Sequence, residues 1–353
     1  MKEYNYADLL ESDNIDILSR KVSVLIQLGE YQKAGPVLHH LVEKHPYEEA
    51  VEKVWKEWII SRKPEFWADI SWSRTSGTKF DGESLTATSE ILSTPLNDLF
   101  FLEAFYRFSW EKFSAKGEET SNFYSSGISY RPAGWNFTGL ISYNDSSMNG
   151  IGGSLKAVWS PDDFWRLSFT GERFSKSTPL RALNEDIRLD TLASEMTYRW
   201  SERRNVSVGI EKKTFTDGNS GIAGSAVLTQ RLFNIPHFEV DGRLEIYVSE
   251  NSLHEDAPYF FPEQDFSING GFHFDHIYYR HYDHTFKHEL DLGYGIYKQK
   301  EYDDGWIGHI RYEHLYAASP WIEMNAGIEF GWNIYDGERE LNRTVTFLIN
   351  WKF

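Results

Sequence analysis

TVTFLINWKF, residues 344–353, alternates without a break and stops on an aromatic. Successive side chains of a strand point to opposite sides. Val345, Phe347, Ile349, Trp351 and Phe353 therefore share one face, and Thr344, Thr346, Asn350 and Lys352 the other. One face is wholly apolar, the opposite one mostly polar. Two environments satisfy such a strand: the half-buried layer of a soluble sandwich, or a barrel wall with lipid outside and water inside.

Working upstream, the same period of two recurs back to Pro64. Strands are expected near 65–75, 84–93, 99–113, 120–131, 135–144, 151–160, 164–174 and 187–200. The second half gives 204–215, 221–233, 238–249, 265–279, 284–298, 305–317, 321–334 and 340–353. Most have the roughly 9 to 11 residues that a tilted strand needs to cross a bilayer. Every second connection is short and often holds a proline, as in RPAGWN (131–136), NIPH (234–237) and AASP (317–320). The alternate ones include STPLRALNED (177–186) and ENSLHEDAPYFFPEQD (250–265). Short turns at one end and long loops at the other mark a membrane barrel, and an even strand count returns both chain ends to one side. The expected fold is mainly β: a 16-stranded antiparallel transmembrane β-barrel over residues 64–353, preceded by a short α-helical, tetratricopeptide-type segment over residues 1–63.

Composition agrees. The 353 residues carry 36 Lys+Arg against 53 Asp+Glu, a net charge of −17, so a nucleic-acid backbone is an unsuitable partner. Aromatics are abundant, with 24 Phe, 20 Tyr and 13 Trp, as girdled barrels require. No run of about 18 apolar residues offers a membrane helix. The absence of cysteine excludes disulfides, thiolate metal sites and thiol catalysis.

Within the helical segment Leu18, Val22 and Leu25 recur at helical spacing, as do Val37, Leu38, Leu41 and Val42. Gly29, Tyr31, Ala34 and Pro46 stand at the spacing of one tetratricopeptide repeat. A third helix is expected from Tyr47 to about Arg62. A lone repeat cannot bury its own face, and MKEYNYADLLESDN lacks the apolar stretch of a signal peptide. The chain is therefore expected to be part of a longer secreted protein.

Carrying the face assignment from the last strand to its neighbours predicts a lumen. Strands eleven to fifteen turn nine acids inward: Glu239, Asp241, Glu245, Asp275, Glu289, Asp291, Glu313, Glu323 and Glu329. Three bases, Arg243, Lys287 and Arg311, accompany them, with His309 also pointing in. Strands one to ten look balanced, with Asp69, Glu103, Glu111, Glu172, Glu195 and Glu211 against Arg107, Lys156, Arg166, Arg199, Lys213 and Arg231. An acidic wall in a narrow channel draws in cations and cationic polymers. Trp67, Tyr247, Tyr279 and Tyr297 are the aromatics expected to face inward.

HFDHIYYRHYDHTFKH (273–288) holds five histidines, but their faces and the intervening turn do not gather them, so no metal site is expected. No GxSxG, HExxH or phosphate-binding glycine loop occurs. No cofactor and no catalytic residue are assigned.

The final strand resembles the closing strand of bacterial outer-membrane barrels, in which a terminal aromatic, here Phe353 with Trp351 and Ile349, acts as the signal to the barrel-assembly machinery. A tetratricopeptide repeat leading directly into sixteen strands resembles the exopolysaccharide exporters of biofilm-forming Gram-negative bacteria, specifically the PgaA/HmsH type that exports poly-β-1,6-N-acetyl-D-glucosamine. The repeat, APYFFPEQD (257–265), HIYYRHYDHTFKHEL (276–290) and the terminal strand carry the likeness. It implies an outer-membrane barrel with its N-terminal helices in the periplasm, surrounded by lipid and lipopolysaccharide. It also implies a partly deacetylated, cationic glucosamine polymer as cargo and a periplasmic polysaccharide deacetylase docking on the repeats. A cellulose exporter is the nearest alternative and a general porin the next; an alginate exporter would show the opposite wall charge.

Overall fold

A computed structural model describes residues 13–77, 81–113, 117–252 and 257–353. The helical reading of residues 1–12 and the 253–256 stretch of the long loop lie outside them. Three helices come first: α1 (Ile15–Gln27), α2 (Tyr31–Lys44) and α3 (Glu49–Ser61). The Asn14 side chain accepts from the Ile17 amide at 3.2 Å and so caps α1. Gly29, at φ +70°, makes the left-handed step between α1 and α2 that a side chain would strain. Leu18, Val22, Leu25, Ala34, Leu38, Leu41, Val51 and Val54 close into one buried cluster, so the helical stripes read from sequence face one another.

Sixteen strands follow. The first eight are β1 (Glu65–Ser76), β2 (Gly82–Leu92), β3 (Phe100–Phe113), β4 (Gly117–Tyr130), β5 (Trp135–Ser146), β6 (Gly150–Trp159), β7 (Trp165–Arg173) and β8 (Leu189–Ser201). The rest are β9 (Arg204–Phe215), β10 (Ser220–Ile235), β11 (Phe238–Asn251), β12 (Gln264–His281), β13 (His284–Gln299), β14 (Gly305–Ser319), β15 (Ile322–Tyr335) and β16 (Glu338–Lys352). A four-residue helix, α4 (Leu180–Leu183), interrupts the β7–β8 loop. Each strand pairs antiparallel with its sequence neighbour, and β1 pairs with β16 from Glu65↔Lys352 to Ser76↔Leu341. Closure leaves no open sheet edge, the condition a sheet must meet to sit in hydrocarbon.

The outward face is an apolar belt. Ile141, Ile151 and Leu155 are 72%, 71% and 72% exposed, an arrangement that water penalises and lipid accepts. At the end where β1 begins and β16 finishes, ring pairs edge this belt, with Phe100 stacked on Tyr130 at 4.8 Å, Trp135 stacked on Trp159 at 5.5 Å and Trp165 tilted against Tyr198 at 4.4 Å. The other end has Tyr294 stacked on Trp306 at 5.1 Å. Two aromatic levels around an apolar band are what a bilayer's interfaces select.

Among the described residues four β-bulges interrupt the register, after Arg199, Arg231, Ile277 and Ala317, all at the rim where β1 begins and β16 finishes. Each inserts a residue and so changes which face the next side chain takes. The helices meet this same rim. Arg62 pairs with Asp98 in the β2–β3 turn, Lys56 with Asp283 in the β12–β13 turn at 2.7 Å, and Lys63 lies over the Trp321 ring at 4.0 Å.

Candidate functional site

Residues opposite one another on adjacent strands share a side. Starting from Thr344 and Asn350, that rule runs through Glu329↔Thr344, Glu323↔Asn350, Glu313↔Gly327, Glu289↔Glu313, Asp275↔Glu289 and Glu239↔Asp275. In the other direction it reaches Trp67↔Asn350 and Asp69↔Leu348. Asp241, Glu245, Tyr247, Asp291 and Tyr297 fall on the same inner side through Asp241↔His273, His273↔Asp291, Glu245↔Asn269, Tyr247↔Ser267 and Ser267↔Tyr297.

Tyr279 does not. Beyond the bulge it stands opposite Phe286, whose ring packs with Tyr278, His288 and His314 on the outer wall. The extra residue at the bulge breaks the simple alternation that assigned Tyr279 to the lumen. Tyr297 does turn inward, but it is only 8% exposed and its hydroxyl donates to Asp265 at 3.2 Å. It fixes the wall and presents no open ring face to a sugar; Trp67 and Tyr247, half-buried, remain the inner aromatics of the expected set.

Most acids of this wall have a cation. Arg231, from β10, takes both Glu239, at 2.5 Å, and Asp241. Arg243 pairs with Glu245 at 3.1 Å, Lys287 with Asp275 at 2.9 Å and Arg311 with Glu313 at 2.6 Å. Asp291 sits between two imidazoles, His309 at 2.5 Å and His273 at 3.3 Å. Among the described residues Glu289, Glu323 and Glu329 have no ion pair. Glu289 and Glu329 line a cavity of about 310 Å³ with Arg243, His273, Asp291, His309, Arg311 and Glu313. The expected contrast of nine acids against three bases becomes nine against four once the arginine supplied from β10 is counted, and Glu239 and Asp241 share that one guanidinium.

Sequence reasoning passed over His273, Glu90 and Asp265. Glu90 lies opposite Trp67 and Phe105, both inward, and Asp265 opposite Ser249. The signal was present: the alternation Ser84, Thr86, Thr88, Glu90 extends the polar face of β2. The histidine run splits, with His273 inward and His276, His288 and His314 outward. Among the described residues no three His, Asp or Glu side chains are grouped to hold a metal ion.

The lumen is narrowed by the β7–β8 loop, residues 174–188. Phe174 is buried against Gly150 and Gly152 on the inner face; a Cβ on Gly150 would come within 2.7 Å of its ring. From that anchor the loop descends beside β3. Arg107 donates to the Lys176 carbonyl at 3.2 Å, Lys176 covers the Phe105 ring at 4.7 Å, and Arg181 approaches Glu111 at 3.6 Å. Farther out, Ala182 joins Leu189, Phe215 and Tyr259, so this loop meets the β11–β12 loop across the mouth. The Tyr259 ring stacks on Phe215 at 4.2 Å, and its hydroxyl donates to Asp217 at 2.7 Å and accepts from Asn219 at 3.0 Å.

Burial pushes the Tyr259 phenol up from its ordinary value, and the bond to the Asp217 carboxylate adds to the shift. A raised folded pKa makes this latch fully effective below the free phenol's value, about 10, and weakens it only on the alkaline side. Tyr259→Phe leaves Asp217 and Asn219 without that partner, at a cost of about 1–3 kcal/mol. The variant is expected to show more frequent transitions between conductance levels in planar bilayers; an unchanged dwell-time distribution would remove the latch role.

A closed barrel with an apolar exterior, two aromatic levels and a charged, loop-narrowed lumen is a transmembrane β-barrel of the outer-membrane type. More narrowly, residues 69–353 match the PgaA membrane beta barrel domain, and the chain belongs to that family. Over 99% of its length it is 24% identical to the poly-beta-1,6-N-acetyl-D-glucosamine export protein of Escherichia coli K12, and the same figures hold for that of Escherichia coli O157:H7. The chain spans 44% of each of these curated relatives. Its fold is shared with a solved structure described as a bacterial polysaccharide outer membrane secretin: TM-score 0.76, 22% identity, covering 83% of this chain and 99% of that one.

Proposed function

We propose that this chain forms the outer-membrane conduit of an exporter of partly deacetylated, cationic poly-N-acetylglucosamine. Residues 1–63 then lie in the periplasm as the last part of a repeat domain that engages a polysaccharide deacetylase, and residues 64–353 form the pore. The observation that carries the reading is the inner wall of β11–β15. There Glu289, Glu323 and Glu329, without ion pairs among the described residues, face a lumen already narrowed by residues 174–188. Carboxylates of this kind hold an amine loosely enough to release it to the next site, as conduction demands. Trp67 and Tyr247 add ring faces for pyranose stacking. The family and the name of the E. coli relatives support the polymer, and the sign of the wall favours its amine-bearing form.

Single-channel recordings test this. Deacetylated β-1,6-glucosamine oligomers are expected to interrupt the current much more often than fully N-acetylated oligomers of equal length. Equal interruption by both, or by neither, would leave a general porin as the better description.

Assembly offers a second test. Phe353 donates its amide to the Pro64 carbonyl at 3.1 Å and packs its ring 5.0 Å from Trp351, at the seam where the first and last strands meet. With Trp351 and Ile349 it forms the motif offered to the barrel-assembly machinery. Deleting Phe353 is expected to lower the amount of heat-modifiable, membrane-inserted protein several-fold, and unchanged levels would remove its signal role.

A further inference from the structure

The lipid-facing wall holds a feature that an export pore does not need. Ile210, Gly224, Val248 and Phe266 lie side by side across β9 to β12, each opposite the next, with Ile222 beside them. They line a trough of about 670 Å³ at the end of the barrel away from the start of β1 and the end of β16. Gly224 keeps it open: a Cβ there would meet nothing nearer than Val248 at 3.5 Å, so no packing demand excludes a side chain, yet none fills the space. Three ammonium groups surround the mouth. Lys298 is opposite Phe266, Lys300 follows two residues on, and Lys212 is opposite Ile222. Lys298 reaches Asp304 at 2.5 Å and Lys300 reaches Glu263, whereas Lys212 has no ion pair among the described residues. Glu250 shares this face.

We propose that this trough binds lipid A, the acylated and phosphorylated diglucosamine that anchors lipopolysaccharide. The inference rests on the orientation proposed above, which sets this end of the barrel in the outer leaflet. Apolar side chains accept acyl chains, and the lysines, compact charges on flexible stems, take the phosphates at headgroup level. Lys212 and Lys298 lie four strands apart, about 19 Å at the usual interstrand spacing. A phospholipid with one phosphate and two chains does not span that width; a bisphosphorylated disaccharide with several chains does. The interspersed carboxylates of Glu250, Glu263 and Asp304 suit the same ligand, because divalent cations bridge carboxylate to phosphate.

The test is native mass spectrometry of the purified chain in detergent, titrated with hexa-acyl, bisphosphorylated lipid A in the presence of Mg²⁺. Lys212→Gln/Lys298→Gln and, separately, Gly224→Leu are expected to weaken retention roughly tenfold, about the worth of one charge-assisted contact. Arg74→Gln/Lys112→Gln, on the outer face at the same rim but on β1 and β3, should leave it unchanged. Equal loss in that control, no loss in either trough variant, or equal retention of phosphatidylglycerol would overturn the proposal. Heat-modifiability of every variant reports folding. Current block by glucosamine oligomers, measured on the same variants, separates this question from export: it should not change when lipid A binding does.

Discussion

Replacing residues 176–186 with a Gly-Ser-Gly link is expected to raise the single-channel conductance several-fold. The loop that these residues form occupies the lumen: Arg107, Phe105 and Glu111, all inward on β3, contact Lys176 and Arg181. Sixteen-stranded barrels without such an obstruction enclose an aqueous channel. The link is long enough because Ser175 donates its amide to the Leu189 carbonyl at 2.7 Å, so the loop's two ends are already adjacent. The barrel is expected to survive the replacement, since its sixteen strand pairings close the sheet without the loop. A conductance equal to that of the native chain would mean that the loop lies clear of the ion path. Phe174→Ala, which withdraws the anchor from Gly150 and Gly152, should act in the same direction to a smaller extent.

Glu289→Gln/Glu323→Gln/Glu329→Gln is expected to lower the potassium-over-chloride permeability ratio several-fold, the second large effect. Among the described residues these are the wall acids without ion pairs, so their removal strips charge from the lumen without releasing a buried cation. The contrast is Asp275→Asn, which frees Lys287 from its 2.9 Å partner and leaves an ammonium on the wall. Removing one partner of an ion pair changes two terms, whereas removing an unpaired charge changes one. The measurement belongs at about 0.1 M salt, where screening extends over about 10 Å; at 1 M, with about 3 Å, the difference should nearly vanish. A reversal potential unaffected by the triple substitution at low salt would show that the field comes from elsewhere.

The strand count and topology were legible in the sequence because membrane barrels impose two periodicities at once. One is alternation within a strand, the other alternation of turn length between strands, and β9 begins and ends where that reading sets it, at 204 and 215. Faces were legible only while the alternation ran unbroken. At Ile277 the bulge adds one residue, and Tyr279 leaves the lumen for the aromatic outer wall. Nothing in HIYYRHY marks that extra residue, since tyrosine and histidine suit a membrane interface on either face.

The narrowing loop was hidden for a different reason. STPLRALNED has the polarity of a surface loop, and a watered lumen asks for the same composition as bulk solvent. Only Phe174, preceded by two glycines at 150 and 152 that leave room for it, records the inward turn, and that is a contact distant in sequence. Ion pairing was equally out of reach. Assigning Arg231 to the balanced half of the barrel was correct for its strand, but its guanidinium reaches across to Glu239 and Asp241 on β11. The residues left unpaired, Glu289, Glu323 and Glu329, were on the expected wall; what singles them out is side-chain reach, which alternation does not encode.

Passage of a cationic glucosamine polymer through the lumen differs from mere binding in its response to voltage. The most direct measurement is the residence time of deacetylated glucosamine oligomers in single channels as the driving voltage is raised. A molecule that translocates stays for a shorter time once the field pulls it through, so residence should rise, pass a maximum and fall, with the maximum shifting when Glu289, Glu323 and Glu329 are neutralised. A residence time that only lengthens with voltage would identify a dead-end blocker and contradict the account.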